Sequence, residues 1–288
     1  MLNLSSKYNI YKNTVDELIK SGISKNEASI EAEMLIEYVF NIKKIDIITN
    51  PHVIVDNEKA EKLKILIKKR IEERIPVQYL TNKAYFMGYE FYVNENVLIP
   101  RPETEILVEE VLKKAENLDK ESTIIDVGTG SGCIACMLAK NLDVKVTASD
   151  ISQEALKIAK KNADELDVKE KIEFVHSDIL NNIYQQADII VSNPPYIPIK
   201  EKENLDFEVA GNEPHLALFA EDEKGISFYE KLILQSIEKL RPNGYLAFET
   251  GINQADFIKE LLEKSNFKNI EIIKDYSGIE RILISKKK

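Results

Sequence analysis

The chain has 288 residues, enough for two domains or one large one, and its 44% hydrophobic and 31% charged residues are typical of a globular protein with a sizeable core. Its 49 acidic and 39 basic residues give a net charge of −10, which argues against broad nucleic-acid binding through phosphate neutralisation but leaves room for a local basic patch. No apolar run approaches the roughly 18 residues that a membrane span needs, so we expect no membrane partner.

The N-terminal segment and the cysteine usage favour the cytoplasm. Residues 1–7 lack the apolar stretch of a secretory signal. The sequence contains two cysteines, Cys133 and Cys136, so it implies no disulfide framework and fits a reducing compartment. Their Cys-x-x-Cys spacing is half of a redox or metal motif. Because no second pair or nearby histidine accompanies it, we interpret both cysteines as packing residues and expect no metal site.

The N-terminal third is predicted to be helical from about residue 10 to residue 75. Ser24 followed by Glu27 forms a capping box at the start of one helix, and a 3.6-residue apolar period follows it. We therefore expect a small helical bundle at residues 1–80. This segment holds no catalytic constellation, so a structural cap and a partner-binding module stay equally open from the residues alone.

Residues 84–93 are aromatic and β-prone, with Gly88 as a turn signal, and they predict a β-hairpin within a linker at 81–100. A helix is predicted to begin at Pro102, whose missing N–H suits the first helical turn. Arg101 and Glu103 at this start could reach a ligand. An ordinary capped helix start is an equally open interpretation.

From residue 101 to residue 288, predicted strands and helices alternate, which favours a mostly parallel sheet with helices on both faces. Each strand is a short apolar or β-branched run, and each helix shows an apolar stripe. The predicted strands lie at 122–127, 144–149, 172–176, 188–192 and 245–249, with β-prone runs at 269–274 and 281–285; the predicted helices lie at 134–142, after Ser152, at 225–239 and at 254–264.

A glycine-rich turn follows the first strand of this region, and residues 126–132 read Asp-Val-Gly-Thr-Gly-Ser-Gly. Such glycines let the backbone pass close to a cofactor, and we expect them to leave N–H groups free at a helix start. The spacing is Gly-x-Gly-x-Gly, with Cys133 where a dinucleotide fingerprint has its third glycine, which argues against NAD. Asp150 ends the second strand and can accept hydrogen bonds from ribose hydroxyls. The pattern predicts an adenosine site without a clear pyrophosphate site, and the alternative is a tight turn with incidental acids.

Residues 193–196, Asn-Pro-Pro-Tyr, end a buried strand, because consecutive prolines lack N–H groups and cannot continue a ladder. Ligands in open α/β sheets bind just outside the carboxyl ends of strands. Asn193 offers an amide oxygen that accepts from an N–H donor, and Tyr196 offers a flat π face. A proline-rich loop with an asparagine turn residue is the alternative for this stretch taken alone.

Together the glycine turn, Asp150 and the Asn-Pro-Pro-Tyr stretch resemble a class I S-adenosylmethionine-dependent methyltransferase of the branch that methylates planar amide or amino nitrogens. The Asn-Pro-Pro-Tyr block alone is shared with adenine-N6 DNA methyltransferases. The Arg-Pro-Glu-Thr-Glu block is much more specific. With other stretches it is similar to the bacterial-type peptide chain release factor glutamine methyltransferases; these stretches are residues 76–80, 98–105, 212–214 and 248–251, Gln254, Asp275, Gly278 and Arg281.

This resemblance implies an α/β fold: a Rossmann-like class I methyltransferase domain at 101–288, with a mostly parallel seven-stranded sheet and helices on both faces, after an N-terminal helical bundle at 1–80 and a β-hairpin linker at 81–100. It implies methyl transfer from S-adenosyl-L-methionine, with S-adenosyl-L-homocysteine as product, to the N5 nitrogen of the glutamine in the Gly-Gly-Gln loop of class 1 release factors. The helical domain is then the expected docking surface, and no stable nucleic-acid partner is expected. A DNA or RNA amino-group methyltransferase is the alternative, and a non-catalytic binding protein and a dehydrogenase are further ones.

The resemblance also assigns roles to residues. Asn193 Oδ1 and the Pro194 carbonyl would accept both N–H groups of the substrate amide, and Tyr196 would stack on the amide plane. Residues 178–179 depart from members that carry an aromatic side chain near the adenine, so the adenine contact stays open. The expected catalytic residues are Asn193, Pro194 and Tyr196; the substrate-binding residues add Pro195, Arg101 and Glu103; the cofactor-binding residues are Asp126, Val127, Gly128, Thr129, Gly130, Gly132, Asp150, Ile151, Asp178, Ile179 and Asn193.

Overall fold

The computed structural model describes residues 6–53, 56–220 and 222–288, and the chain divides into two compact units. No helix of these described residues is long and apolar enough to cross a bilayer. The α-helices are α1 (Lys7–Lys20), α2 (Lys25–Phe40), α3 (Lys44–Thr49), α4 (Asn57–Glu72), α5 (Val77–Thr81), α6 (Pro102–Lys114), α7 (Cys133–Asn141), α8 (Gln153–Glu165), α9 (Phe207–Asn212), α10 (His215–Leu218), α11 (Ser227–Lys239) and α12 (Ala255–Lys264).

From α6 onward most successive strands are separated by a helix, as the sequence predicts for residues 101–288. They are β1 (Ala84–Phe86), β2 (Tyr89–Phe91), β3 (Thr123–Val127), β4 (Lys145–Asp150), β5 (Ile172–His176), β6 (Ala187–Ser192), β7 (Ile197–Pro198), β8 (Phe219–Ala220), β9 (Leu240–Glu249), β10 (Phe267–Lys274) and β11 (Glu280–Lys287). The short β7–β8 pair and the helices α9 and α10 were not anticipated from the sequence, because two-residue strands and four- to six-residue helices carry no measurable period.

The first unit spans Met1–Lys83 and also includes Phe207–Asn212. Its helices bury apolar stripes against one another, with Leu35 and Leu63 fully buried between α2 and α4. Ser24 caps α2 by accepting from the backbone N–H of Glu27 at 3.3 Å, which confirms the predicted helix start. The predicted helical stretch is thus a bundle of short helices.

A buried ion-pair cluster explains why α9 belongs to this first unit. Arg70 is 5% exposed, and its guanidinium donates from Nε and Nη2 to the carboxylate of Glu31 at 2.9–3.0 Å. Its Nη1 donates to Glu208 of α9 at 3.2 Å, and Arg74 binds the same carboxylate at 2.7 Å. Buried charges are stable only when they are paired in this way, so the cluster fixes α9 on the helical bundle.

The second unit is built on a seven-stranded sheet in the order β10-β11-β9-β6-β3-β4-β5. Strands β9, β6, β3, β4 and β5 are parallel, and β11 is antiparallel to both β9 and β10. Apolar side chains on both faces, such as Ile124 and Ile125 of β3, belong to two separate core clusters, one on each side of the sheet. This arrangement confirms the predicted mostly parallel sheet with helices on both faces.

The predicted hairpin is present as the antiparallel pair β1–β2 in this second unit. Phe86 and Phe91 pack edge to face at 6.1 Å, and the turn between the strands uses the left-handed backbone of Met87 and Gly88. After the hairpin, the amide side chain of Asn162 in α8 accepts from Tyr92 N at 2.7 Å and donates to Tyr92 O at 2.9 Å. These bonds attach the chain leaving the hairpin to α8.

Candidate active site

The carboxyl ends of neighbouring parallel strands bring the predicted site residues to one edge of the sheet. Val127 at the end of β3 pairs with Ser149 of β4 and with Ser192 of β6, and Ser192 in turn pairs with Phe248 of β9. The residues that follow these positions must therefore lie side by side. This register places the glycine turn, Asp150, Asn193 and Glu249 along that edge, where open α/β sheets bind ligands.

Four of the five backbone N–H groups of the glycine turn at residues 128–132 are bonded within the protein. Gly128 and Thr129 both donate to Ser149 O at 2.9 Å, Gly130 donates to Asp150 Oδ2 at 2.9 Å, and Gly132 donates to Thr129 O at 2.8 Å. The expectation of free N–H groups is wrong for these four amides, because the first three bond to residues 149 and 150 of β4 and Gly132 bonds within the turn. These four amides are therefore not free to bind an anion, which agrees with the absence of a pyrophosphate pattern in the sequence.

The same glycines leave open space where side chains would stand. Gly128 and Gly130 have φ values of +72° and +55°, and a Cβ built on either would meet no atom within 4 Å. Gly132 differs, since a Cβ there would lie 3.0 Å from Ala159 of α8. Gly128 and Gly130 thus shape the space above the turn, whereas Gly132 allows α7 and α8 to pack closely.

Asp126 lies beneath the turn and is completely buried. Its Oδ2 accepts from Thr129 Oγ1 at 2.6 Å and from Ala135 N at 3.2 Å, whereas its Oδ1 is buried without a hydrogen-bond partner among the described residues. Burial raises the pKa of Asp126 to about 7, and the hydrogen bonds from Thr129 and Ala135 oppose that rise. Asp126 supports the turn from below.

Asp150 holds the side of the turn and faces the open space. Its Oδ2 accepts from Gly130 N at 2.9 Å and its Oδ1 from Ser152 N at 2.8 Å, which fixes the orientation of the carboxylate. Burial raises the pKa of Asp150, and these backbone hydrogen bonds oppose the rise. A carboxylate has about four lone-pair positions, so each oxygen retains capacity for a further donor such as a ribose hydroxyl.

A cavity of about 320 Å³ occupies this edge of the second unit. That volume is within the range of small-molecule sites. The predicted residues that line it are Arg101, Val127, Gly128, Thr129, Gly130, Asp150, Ile151, Asp178, Ile179, Asn193 and Pro195. The other predicted site residues do not line this cavity; they are Glu103, Asp126, Gly132, Pro194 and Tyr196.

Asn193 is held by a chain of hydrogen bonds from its amide to a buried carboxylate. Its Nδ2 donates to Thr104 Oγ1 at 2.9 Å, and Thr104 Oγ1 donates to Glu249 Oε2 at 2.6 Å. Tyr196 donates from its hydroxyl to Glu249 Oε1 at 3.3 Å. Among the described residues no group donates to Asn193 Oδ1 or to the carbonyl oxygen of Pro194. Both acceptors at the strand end are therefore without a donor among the described residues, and Asn193 lines the cavity.

Burial shapes the electrostatics of this second group. It raises the pKa of Glu249 to about 6, opposed first by the hydrogen bond from Thr104 and then by the charge of Arg281. Burial and the neighbouring charge of Glu249 raise the pKa of Tyr196. Tyr196 is therefore protonated at neutral pH, and its hydroxyl donates a hydrogen bond to Glu249.

Gln254 fixes the chain on the far side of the two prolines. Its Nε2 donates to Tyr196 O at 2.9 Å and to Lys224 O at 3.1 Å, and its Oε1 accepts from Gly251 N at 2.9 Å. Gly225 allows this close approach, because a Cβ there would lie 2.2 Å from Tyr196 O. The Asn-Pro-Pro-Tyr stretch is thus held at both ends.

Arg101, at the start of α6, lines the cavity and forms an ion pair with Glu213. Glu213 is 4% exposed and also accepts from the backbone N–H of Ile99 at 3.3 Å. The charge of Glu213 is therefore paired, and its carboxylate joins the segment before α6 to the segment before α10. Glu103 lies on the same helical turn but outside the described lining of the cavity.

Thr104 had no role of its own in the sequence analysis, and Glu249 carried none of the expected site roles. A signal for Thr104 is nevertheless present, since Thr104, Leu107, Val108 and Val111 share the buried face of α6. A hydroxyl at a position of an apolar stripe requires a partner, but the sequence does not say which group supplies it.

The two cysteines are free and buried in the core cluster on one face of the sheet. Burial raises the pKa of Cys133 to about 12, so its thiol stays protonated. Within the described parts of the chain no cluster of side chains could hold a metal ion.

Two family models match the chain: the methyltransferase small domain at residues 102–212 and the PrmC N-terminal domain at residues 10–81. Curated relatives named release factor glutamine methyltransferase match almost the whole chain. The protein of Flavobacterium psychrophilum is 40% identical, with 95% of this chain and 96% of the relative covered. That of Chlorobaculum tepidum is 37% identical, with 93% and 95% covered.

Solved structures with the same architecture are more distant in sequence. A methyltransferase from Pyrococcus furiosus is 20% identical, with a TM-score of 0.53 and coverage of 79% of this chain and 98% of that chain. A 16S rRNA N2 G1207 methyltransferase from Thermus thermophilus, solved with AdoMet and guanosine, is 19% identical, with a TM-score of 0.52 and coverage of 72% and 50%. These likenesses establish the Rossmann-like methyltransferase fold of the second unit.

Proposed function

We propose a function from one premise: the chain belongs to the release factor glutamine methyltransferase family. It transfers a methyl group from S-adenosyl-L-methionine to the side-chain amide nitrogen, N5, of the glutamine in the Gly-Gly-Gln motif of peptide chain release factors. The observation that carries this proposal is the pair of open acceptors, Asn193 Oδ1 and Pro194 O, at the edge that also holds the glycine turn. A carboxamide NH₂ group has two N–H donors to match them.

The residues that line the cavity fit S-adenosyl-L-methionine. When bound, this group supplies an electrophilic methyl on a sulfonium sulfur and leaves as S-adenosyl-L-homocysteine. Asp150 would accept hydrogen bonds from the ribose hydroxyls, and the missing side chains of Gly128 and Gly130 leave room beside the turn. Ile151, which is 48% exposed on the cavity wall, gives an apolar surface for the adenine. The bonded amides of the turn suit a ligand without phosphate groups.

The acceptors orient the substrate nitrogen. A primary amide nitrogen is a weak nucleophile because its lone pair is delocalised into the carbonyl group. Hydrogen bonds to Asn193 Oδ1 and Pro194 O hold both N–H groups, aim the nitrogen at the methyl group and stabilise the positive charge that builds on the nitrogen. Tyr196 packs its ring on the amide plane while Glu249 holds its hydroxyl. No base is needed beforehand, since the product nitrogen releases its proton to water.

The helical region at 1–80 is proposed as the release-factor docking domain, and we place the reaction in the cytoplasm, where translation terminates. Several large apolar side chains of this region are exposed and are available for a protein partner: Ile30, Ile45, Ile48 and Ile65 are 58–64% exposed. We propose that they contribute to an apolar patch that binds the release factor, since contiguous exposed apolar patches mark protein-binding surfaces. Release factors of class 1 are the proposed partners, with no stable nucleic-acid partner.

Mass spectrometry of a class 1 release factor incubated with the chain and S-adenosyl-L-methionine tests the proposal. We expect a single added methyl group on the peptide that contains the Gly-Gly-Gln motif. A matched release factor in which that glutamine is replaced by glutamate is the control, and it is expected to stay unmodified. DNA and RNA are incubated in parallel with labelled cofactor.

Two results would contradict the proposed function. The first is an unmodified glutamine under conditions in which the chain binds the cofactor by calorimetry. The second is methylation of DNA or RNA in place of the release factor, which would establish the amino-group methyltransferase that shares the Asn-Pro-Pro-Tyr block.

A further inference from the structure

Hydrogen bonds join three side chains from three separate segments next to the cavity, and two of the three side chains are buried. Glu249 ends β9, Thr104 lies in the first turn of α6, and Asn193 follows β6. Glu249 is 1% and Thr104 2% exposed, and the two bonds that join the three residues measure 2.6 and 2.9 Å. Both bonds are short and the Thr104–Glu249 bond is buried, so the relative positions of the three side chains are well defined.

The direction of each hydrogen bond in this chain is fixed by chemistry. An ionised carboxylate can only accept, so the Thr104 hydroxyl must donate its one proton to Glu249. The Thr104 oxygen is then left as an acceptor, and the group that approaches it from Asn193 must be the NH₂ end of the amide. A side-chain amide is planar, so binding its NH₂ end there directs its oxygen the other way.

We propose that Thr104 and Glu249 are positioning residues that set the orientation of the Asn193 amide, so that Oδ1 and not Nδ2 meets the substrate nitrogen. This inference rests on the proposed function of Asn193 and adds the reason why its amide does not rotate. In the rotated amide, the Nδ2 donor would face a substrate NH₂ group that is also a donor. Such an amide could not bind the substrate nitrogen, and the transfer would stop.

Charged and hydrogen-bonding groups on several elements surround Glu249. Thr104 and Glu103 approach from α6, Tyr196 from the segment between β6 and β7, and Arg281 from β11. Tyr229 of α11 donates to the backbone carbonyl of Glu249 at 2.9 Å. Arg281 favours the ionised form, whereas Glu103 and burial oppose it.

Protonation of Glu249 would allow the hydrogen bonds that join Glu249, Thr104 and Asn193 to reverse their donor–acceptor direction. Burial raises the pKa of Glu249 to about 6, so its proton is gained as the pH falls through that value. A protonated Glu249 can donate to Thr104, and Thr104 can then donate to Asn193 Oδ1 in the rotated amide. We therefore expect kcat to be at its full value well above pH 6 and to decline as the pH falls through about 6.

Substitutions at Thr104 separate the hydroxyl from the volume of the side chain. Thr104→Val removes the hydroxyl at nearly constant size, and Thr104→Ser keeps it. We expect Thr104→Val to lower kcat by about 10-fold to 100-fold, the effect of leaving one buried polar partner without a bond, with an unchanged dissociation constant for S-adenosyl-L-methionine. Thr104→Ser is expected to stay within about threefold of the unaltered chain. Thr123→Val is the matched control, since it removes another buried threonine hydroxyl from the same unit.

Substitution of Glu249 tests the direction of the chain. Glu249→Gln does not titrate and, like the protonated carboxyl group, can either accept from or donate to Thr104, so we expect a kcat loss of about threefold to tenfold at every pH and no decline of kcat near pH 6. The pH profile of kcat on the release factor is measured for both chains, and thermal unfolding checks that each variant is folded. If Thr104→Val does not fold, the profile of Glu249→Gln decides the question.

Equal kcat values for Thr104→Val and Thr104→Ser in folded proteins would overturn the role of Thr104. A decline below pH 6 that persists unchanged in Glu249→Gln would overturn the role of Glu249. Both results leave methylation by the unaltered chain intact. Failure of the proposed function is different, because the unaltered chain would then leave the release-factor glutamine unmodified, and both proposals would fall together.

Discussion

The site contains two buried carboxylates, Asp126 beneath the glycine turn and Glu249 beside Asn193, and they are built in opposite ways. Asp126 has one oxygen without a hydrogen-bond partner among the described residues, and burial raises its pKa to about 7. Glu249 has a donor on each oxygen, Thr104 on one and Tyr196 on the other, and burial raises its pKa to about 6. The first carboxyl supports a backbone turn, whereas the second gives direction to a side-chain amide.

The glycine turn and the Asn193 amide differ in how far they depend on the charge of the neighbouring carboxylate. The glycine turn keeps its shape through backbone bonds to β4, so it can tolerate a protonated Asp126. The amide of Asn193 has no backbone constraint on its rotation, and its orientation follows from the ionised state of Glu249 through Thr104.

The largest expected effect is on the Asn193 side. Asn193→Ala removes one of the two acceptors for the substrate nitrogen, and we expect kcat to fall by about 10²-fold to 10³-fold, as when a donor is removed from an oxyanion hole. Cofactor binding, measured by calorimetry, is expected to change little, because the glycine turn and Asp150 are untouched. The rate is measured from methyl incorporation into a release factor.

Asn117→Ala is the matched control for this prediction, because it deletes the same amide from an exposed turn of the same unit. It is expected to have the kcat of the unaltered chain. Turnover of Asn193→Ala close to that of Asn117→Ala would refute the role of Asn193.

The second effect concerns Asp126 and the dependence of stability on pH. Its folded-state pKa of about 7 lies above the value of about 4 for an unfolded aspartate, so the folded protein binds the proton more tightly between these values. The contribution of Asp126 to the free energy of unfolding therefore decreases as the pH rises from about 4 to about 7. Asn is neutral at every pH, so Asp126→Asn should lack this slope.

Urea unfolding of both chains at pH 4.5, 5.5, 6.5 and 7.5 without added cofactor measures this difference. We expect the stability of Asp126→Asn relative to the unaltered chain to rise with pH, by about 1 kcal/mol for each pH unit in the middle of the window. Asp143→Asn, which removes an exposed carboxylate of the same unit, is the control without such a trend. A difference that is constant over the window would show that Asp126 is ionised in the folded chain.

The smallest expected effect is at Asp150, which belongs to the turn but faces the cofactor. Asp150→Asn keeps the size of the side chain but turns one acceptor into a donor, opposite the N–H of Gly130 or of Ser152. We expect the dissociation constant for S-adenosyl-L-methionine to increase by about 10-fold to 30-fold, with kcat at saturation nearly unchanged.

Calorimetry gives the dissociation constant, and Asp143→Asn again serves as the control. A loss of kcat without a loss of affinity would contradict this prediction and would indicate that Asp150, like Asn193, acts in the methyl-transfer step.

Most of the fold could be predicted from the sequence, because its signals are local. The apolar runs of β3 to β6, the capping residues Ser24 and Ser152, and the hairpin turn at Gly88 each depend on neighbours only a few residues away. The support of the glycine turn is similarly local, since Asp126 bonds with Thr129 and Ala135. The amides of Gly128, Thr129 and Gly130 were wrongly predicted to be free, because their acceptors, Ser149 O and Asp150 Oδ2, lie on another strand.

Local sequence patterns thus predict the alternating sheet, the glycine turn and the position of Asn193 at a strand end. The orientation of the Asn193 amide depends on the three-dimensional fold, because Thr104 is 89 residues from Asn193 and 145 residues from Glu249 along the chain. No local pattern encodes such a partnership. It arises when parallel strands place their carboxyl ends at one edge and a helix buries a lone hydroxyl beside them, where each polar group must find its bond.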